Sequence, residues 1–181
     1  MNYRDVNKVV YRDKKIVQFL IESKTYGDKV VTVDVDDYFK IKKYHWYIQQ
    51  HRNTFYVRSH TYTRKKCIKR LHRVILGVTD PEIKVDHKDG NGLNNVRYNL
   101  RVCTTAENTR NKQKSKGNTS GFKGVCWHKR DKCWAVQICV DYKGVHLGHF
   151  PGTPEGKIEA AKAYNVAAIK YYGEFARLNN I

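Results

Sequence analysis

The first third of the chain is patterned as strands. Lys15-Ile16-Val17-Gln18-Phe19-Leu20-Ile21 is rich in β-branched and aromatic residues, and Lys29-Val30-Val31-Thr32-Val33-Asp34 follows a Tyr26-Gly27-Asp28 turn. Residues 34–44 read as a helix, with Asp36 and Asp37 at its start and Lys42 and Lys43 at its end. Residues 44–50 and 54–60 predict a hairpin that turns near Arg52-Asn53. Residues 70–76 predict a short helix closed by Gly77. Ile83-Lys84-Val85-Asp86 is a short strand that opens into a polar loop, residues 88–95, and Leu100-Arg101-Val102 is the returning strand. Thr104 with Glu107 forms a capping box, so a helix is expected from Thr105.

Residues 111–119 are basic and small with nothing apolar, and predict a solvated linker at a domain boundary. Beyond them the pattern changes. Residues 124–128, 134–139 and 145–150 predict three short strands, with turns at Asp131-Lys132 and Lys143-Gly144. Thr153 can cap a helix with Pro154 at its first position; that helix runs to Tyr172 and stops at Gly173. Ala160, Ala161, Ala163, Ala167 and Ala168 keep it slim enough to lie close on a sheet. The whole predicts an α+β protein with no internal repeat.

Charge changes the picture. The 181 residues hold 35 Lys and Arg against 17 Asp and Glu, a net +18. Segments 1–65, 66–119 and 120–181 carry +7, +7 and +4, so the excess is spread along the chain and not confined to a tail. A phosphate backbone gripped by several elements fits this better than a membrane-docking patch. Aromatics reach 12 %, which argues against disorder. Neither an apolar run long enough to span a membrane nor a signal peptide stands in the sequence, and the expected compartment is the cytoplasm. Cys67, Cys103, Cys126, Cys133 and Cys139 are an odd count without a Cys-x-x-Cys pair, which argues against a disulfide framework and a cysteine-rich zinc site.

The chemistry concentrates in Val85-Asp86-His87-Lys88-Asp89-Gly90-Asn91, followed by Asn94-Asn95, Asn99-Leu100-Arg101 and Glu107-Asn108. A carboxylate and an imidazole stand side by side at a strand end. Phosphodiester hydrolysis needs a base to deprotonate water and a hard cation held by oxygen ligands. Asp86 and Asn108 can supply the oxygens and His87 the base. An EF-hand reading fails, because Lys88 stands where a ligand should be and no bidentate acid closes the loop. His72 reads as packing or a phosphate contact, and His45, His51 and His60 lack partners at metal spacing.

These residues resemble the HNH endonucleases, whose ββα-metal site has this Asp-His … Asn … Asn order; the nearest type is the phage or intron-borne homing class. The resemblance covers about residues 70–112. It implies that Asp86 and Asn108 bind one divalent ion, Mg2+ or Mn2+, that His87 activates water, and that Asn99 holds the loop and orients His87. Many relatives carry His where this chain has Asn108, a weaker oxygen ligand, so modest metal affinity is expected.

A second resemblance rests on Ser120-Gly121-Phe122-Lys123-Gly124-Val125, Lys132 to Ile138, Leu147-Gly148-His149-Phe150, Glu159 to Tyr164 and Ala176-Arg177-Leu178-Asn179. It is similar to the plant APETALA/ethylene-response-factor DNA-binding domain, which lays a three-stranded sheet in the major groove with a helix behind. Strand alternation independently puts Trp134, Val136 and Ile138 on the helix side and Ala135, Gln137 and Cys139 on the other. Lys123, His128, Lys129, Arg130, Lys132, Gln137 and His146 are the candidate DNA contacts. Trp134 reads as a core anchor, while Trp127 is open between core and base stacking. Cys126 and Cys139 stand where plant members often carry Arg, so their sequence preference does not transfer.

The expected organisation is a β-rich region over 1–65, an HNH nuclease domain over 66–112, a linker over 113–119 and a response-factor-like domain over 120–181, whose three-stranded antiparallel sheet packs on one helix. The expected activity is site-specific cleavage of double-stranded DNA, leaving 5′-phosphate and 3′-hydroxyl ends. The rival is a non-catalytic DNA-binding or regulatory protein; a host-defence restriction nuclease is a third reading. One nuclease site per chain points to a monomer.

Overall fold

A computed structural model describes residues 8–51, 54–60 and 68–181, in two compact units, 1–104 and 105–181. The architecture is mixed α and β, with small antiparallel sheets and few helices. Among the described residues no helix is long and apolar enough to cross a membrane.

In the first unit β1 (Lys8–Arg12), β2 (Ile16–Ile21) and β3 (Lys29–Asp34) form one antiparallel sheet. The period of two along β2 drives Val17, Phe19 and Ile21 inward, and Val31 and Val33 of β3 join them. The α1 helix (Val35–Ile41) adds Tyr38 and Ile41, and the Trp46 indole donates to the Ile41 carbonyl at 3.0 Å. β4 (Tyr47–His51), β5 (Thr54–His60) and β6 (Ile68–Arg70) make a second sheet, followed by α2 (Leu71–Leu76), which buries Leu71 and Ile75. Gly77 closes α2 in the left-handed region, as expected. The turn expected at Arg52-Asn53 and Cys67 lie outside the described residues. β1 was not expected: every residue in it is exposed, so it carries no inward-facing apolar pattern and exists by pairing with β2.

β7 (Lys84–His87) and β8 (Leu100–Cys103) pair antiparallel and belong to this same unit, with Leu100 in its core. A one-turn 3-10 helix, Arg97–Asn99, leads into β8.

The second unit opens with α3 (Thr105–Arg110) and continues with β9 (Val125–His128), β10 (Cys133–Val140), β11 (Lys143–Phe150) and α4 (Pro154–Tyr172). β10 is the central strand. Thr153 caps α4, accepting from the Gly156 amide at 3.1 Å. Ala160, Ala161 and Ala168 of α4 are buried with Val125, Val136 and Ile138 of the sheet. Gly124 has φ +76°, and a Cβ there would overlap the Tyr164 ring, so the close approach of helix and strand requires glycine.

Residues 111–119 lie between α3 and β9. Most are exposed, but Asn111 is buried, Lys114 donates to the Gly121 carbonyl, and the Asn118 side chain accepts from Gly121 N and donates to Phe122 O. Backbone groups of Gly121 and Phe122 thus hold the Lys114 and Asn118 side chains.

Candidate functional site

Strand register builds the centre of the site. Asp86 on β7 lies directly opposite Arg101 on β8, and His87 opposite Leu100. Arg101 donates from Nε and Nη2 to Asp86 Oδ2 at 3.1 and 2.9 Å, with both side chains nearly buried. Asp86 and His87 are buried at the strand end, as are Asn95 and Asn99 in the segment between the strands.

That segment is held by amides and carboxylates that local sequence supplies. Gly90 N donates back to the His87 carbonyl. The Asn91 amide donates to Asp89 Oδ1, and Asn94 Nδ2 to Asp89 Oδ2, both at 2.8 Å. Asn99 spans the loop: its Oδ1 accepts from the Asp89 amide, and its Nδ2 donates to Asp89 Oδ1 and to the Asn94 carbonyl.

Distant parts of the unit clamp the same loop. Thr32 N donates to the Leu93 carbonyl and Asn95 N to the Thr32 carbonyl, a bridge from β3. The Gly92 amide donates to Thr54 Oγ1, and a Cβ at Gly92 would overlap the Phe55 carbonyl oxygen. Arg97 reaches Asp37 Oδ1 at 2.7 Å and the Ile75 carbonyl at 2.8 Å, while its amide donates to Asp34 Oδ2. The β-rich N-terminal stretch thus scaffolds the loop.

His87 Nε2 lies 3.2 Å from Asn95 Oδ1. Burial lowers the His87 pKa from the ordinary imidazole value; Asn95, Asp89 and Asp86 oppose the shift without cancelling it. A neutral imidazole at neutral pH is able to accept a proton. The His72 ring stands 5.1 Å from the His87 ring, and the Tyr56 ring is 5.7 and 5.8 Å from the two. Burial, reinforced by His87 and nearby arginines, pushes the His72 pKa well down, and its Nδ1 is buried without a hydrogen bond. His72, Tyr56 and Asn95 are neighbours of His87 that sequence reading did not assign. The Leu71-His72-Arg73 context gave no signal for His72, and Asn95 was one of several loop asparagines.

Asn108 sits on α3, in the second unit. Of the candidate DNA contacts, Lys129, Arg130 and Lys132 are exposed on the β9–β10 turn, and Gln137 and His146 are exposed on β10 and β11. Lys123 is turned inward: its ammonium donates to the Arg110 and Lys112 carbonyls at 2.5 and 2.7 Å, and burial, with Arg177 nearby, lowers its pKa to about 8. It anchors the end of α3. His128 is half-buried, 3.2 Å from Asp131. Trp127 pairs across the strands with Trp134, ring centroids 4.9 Å apart, on the face shared with Val125 and Val136. Trp134 is half-buried against the core, whereas Trp127, on the same face, stays 38 % exposed.

Among the described residues, His128, Cys133 and His149 bring nitrogen and sulfur atoms within 4.8 Å of one another, a donor set that could hold a metal.

Over 150 residues, 82 % of this chain and 74 % of the relative, the sequence is 30 % identical to a protein named as an uncharacterized HNH endonuclease, L560, from Acanthamoeba polyphaga mimivirus. A 59-residue stretch, 33 % of the chain, is 41 % identical to Protein 3.8 of Escherichia phage T7; the match spans about half, 49 %, of that protein's length. Over 99 residues, 54 % of the chain, it is 33 % identical to the ethylene-responsive transcription factor ERF069 of Arabidopsis thaliana, covering 60 % of that factor. No family profile matches the chain, and no solved structure does.

Proposed function

We propose, from the premise that this chain belongs to the HNH endonuclease family, that it hydrolyses a phosphodiester bond of double-stranded DNA as a homing-type, site-specific nuclease. The observation that carries this reading is the buried His87 beside Asp86 at a strand end, its Nε2 3.2 Å from Asn95 Oδ1.

With Asn95 Oδ1 as acceptor, His87 Nε2 carries the ring proton and Nδ1 carries the lone pair. Nδ1 takes a proton from water, and the resulting hydroxide attacks phosphorus. The bond from phosphorus to the 3′ oxygen breaks, and that oxygen takes a proton from solvent. The products are a 5′-phosphate and a 3′-hydroxyl. Asn99 keeps the loop closed through Asp89 and the Asn94 carbonyl. Asp86 and, by family resemblance, Asn108 would hold the divalent ion; an all-oxygen donor set suits Mg2+ or Mn2+. When bound, such an ion offsets the negative charge that builds on the phosphate oxygens.

The exposed turn residues Lys129, Arg130 and Lys132, with Gln137 and His146, are the proposed DNA-contacting set of the second unit. Their charge, within a chain of net +18, supports a phosphate-backbone partner. One observation favours the rival, a DNA-binding protein without activity: Arg101 already neutralises the Asp86 carboxylate. One experiment separates the two readings. Supercoiled plasmid carrying a recognised site is incubated with Mg2+ or Mn2+ and either wild type or His87→Ala. Nicking or linearisation by wild type alone is expected; binding without cleavage by both proteins overturns the nuclease reading.

A further inference from the structure

We propose that the open face of the C-terminal sheet carries a zinc-class metal site formed by His128, Cys133 and His149, independent of the oxygen-ligand site of the nuclease. Register brings the three together. Cys133 lies directly opposite His128 in the β9–β10 pair, and Ala135, two residues on and on the same face, lies opposite His149 in the β10–β11 pair. Three strands therefore each deliver one ligand to one patch, around the small, buried Ala135.

Distances and chemistry agree. One ligand atom from each residue lies within 4.8 Å of the other two. Around a tetrahedral ion with Zn–N and Zn–S bonds of usual length, the ligand atoms stand roughly 3.3–3.6 Å apart, so modest side-chain rotation closes the set. Two imidazoles and a thiolate select zinc over magnesium. The buried Nδ1 of His128 makes no hydrogen bond, although Asp131 Oδ2 is 3.2 Å away. Asp131 is thus placed as the carboxylate that orients the ligating imidazole, and water completes the coordination.

The site pins the start of β10 to β9 and β11 and fixes the turn 129–132 between two of its ligands. The bound ion also adds positive charge beside Lys129 and Arg130. Sequence spacing hides this constellation: the cysteine has no Cys-x-x-Cys partner, and its histidines lie 5 and 16 residues away on two other strands.

The test is cobalt titration of the full chain after removal of bound metal. Wild type is expected to take up Co2+ with a tetrahedral visible spectrum and a thiolate-to-cobalt charge-transfer band, which zinc then displaces. Cys133→Ser should abolish the charge-transfer band, and His149→Gln, an exposed position, should weaken cobalt binding about tenfold or more. Cys126→Ser, Cys139→Ser and the double variant Asp86→Asn/Arg101→Met, which removes both buried charges, should keep the band; its survival in the double variant separates this site from the nuclease metal. Absence of the band in wild type, or its persistence in Cys133→Ser, overturns the proposal.

Discussion

The imidazoles of His72 and His87 meet edge to face, with centroids 5.1 Å apart and ring planes at 76°, and both are buried. One comes from α2 and the other from the end of β7, so the packing of the unit links its helix to the candidate base. Two buried rings this close cannot both be charged without large cost, and burial holds both pKa values down.

The first prediction follows from that linkage. Both histidines have folded pKa values below the unfolded value of about 6.5, so the unfolded chain binds more protons below it. Their contribution to stability is full above about pH 6.5 and is lost as pH falls through the depressed folded values. Amide exchange of β2 and β3, corrected for intrinsic rates, should show protection steady down to about pH 6.5 and falling from there towards about pH 5. His72→Phe should lose less over the same interval. Equal losses would show that His72 does not drive the effect.

The second concerns the base. His87→Ala should lower the cleavage rate roughly 100- to 10,000-fold while leaving DNA binding intact. The rate should hold as pH falls and decline only below the ordinary imidazole value, because His87 protonates late. Asn95→Asp places a carboxylate where Oδ1 now sits, favours the imidazolium, and should move this acid limb to higher pH. A limb unmoved in Asn95→Asp would separate Asn95 from the reacting ring.

Asp86 and Arg101 supply the third. Removing one partner of a nearly buried pair costs about 3–5 kcal/mol, because the other charge is left uncompensated. Arg101→Met should therefore destabilise the protein. If Asp86 is a metal ligand, Mg2+ or Mn2+ should restore part of the lost thermal stability by meeting the uncompensated carboxylate. The double variant Asp86→Asn/Arg101→Met should show no such rescue. Thermal melts with and without metal read both outcomes.

The fourth concerns the turn of the C-terminal sheet. Replacing Lys129, Arg130 and Lys132 together with Ala should weaken binding to duplex DNA and reduce the salt slope by about 0.9 for each phosphate that is no longer neutralised. Lys123→Ala should instead act through stability, since its ammonium is engaged by the Arg110 and Lys112 carbonyls. Binding titrations at several salt concentrations distinguish the two, and an unchanged slope in the triple variant would show that this turn does not grip DNA.

Local signals in the sequence were enough for most elements. Alternation in Ile16–Ile21 and Cys133–Val140, the Thr153-Pro154 start of α4 and the Gly77 stop of α2 act over a few residues, and each appears where its chemistry puts it. Asp86 and His87 could be read as a candidate acid–base pair because they are adjacent in the chain. Tertiary structure alone decided what those groups touch. Arg101 reaches Asp86 through strand register, His72 reaches His87 through helix packing, and one asparagine among several, Asn95, takes the imidazole because β3 and the Gly92 carbonyl hold it there. The same holds for His128, Cys133 and His149, which only the pairing of three strands gathers. Period and capping are properties of neighbouring residues, whereas burial, ion pairing and the pKa values they shift depend on residues distant in the chain.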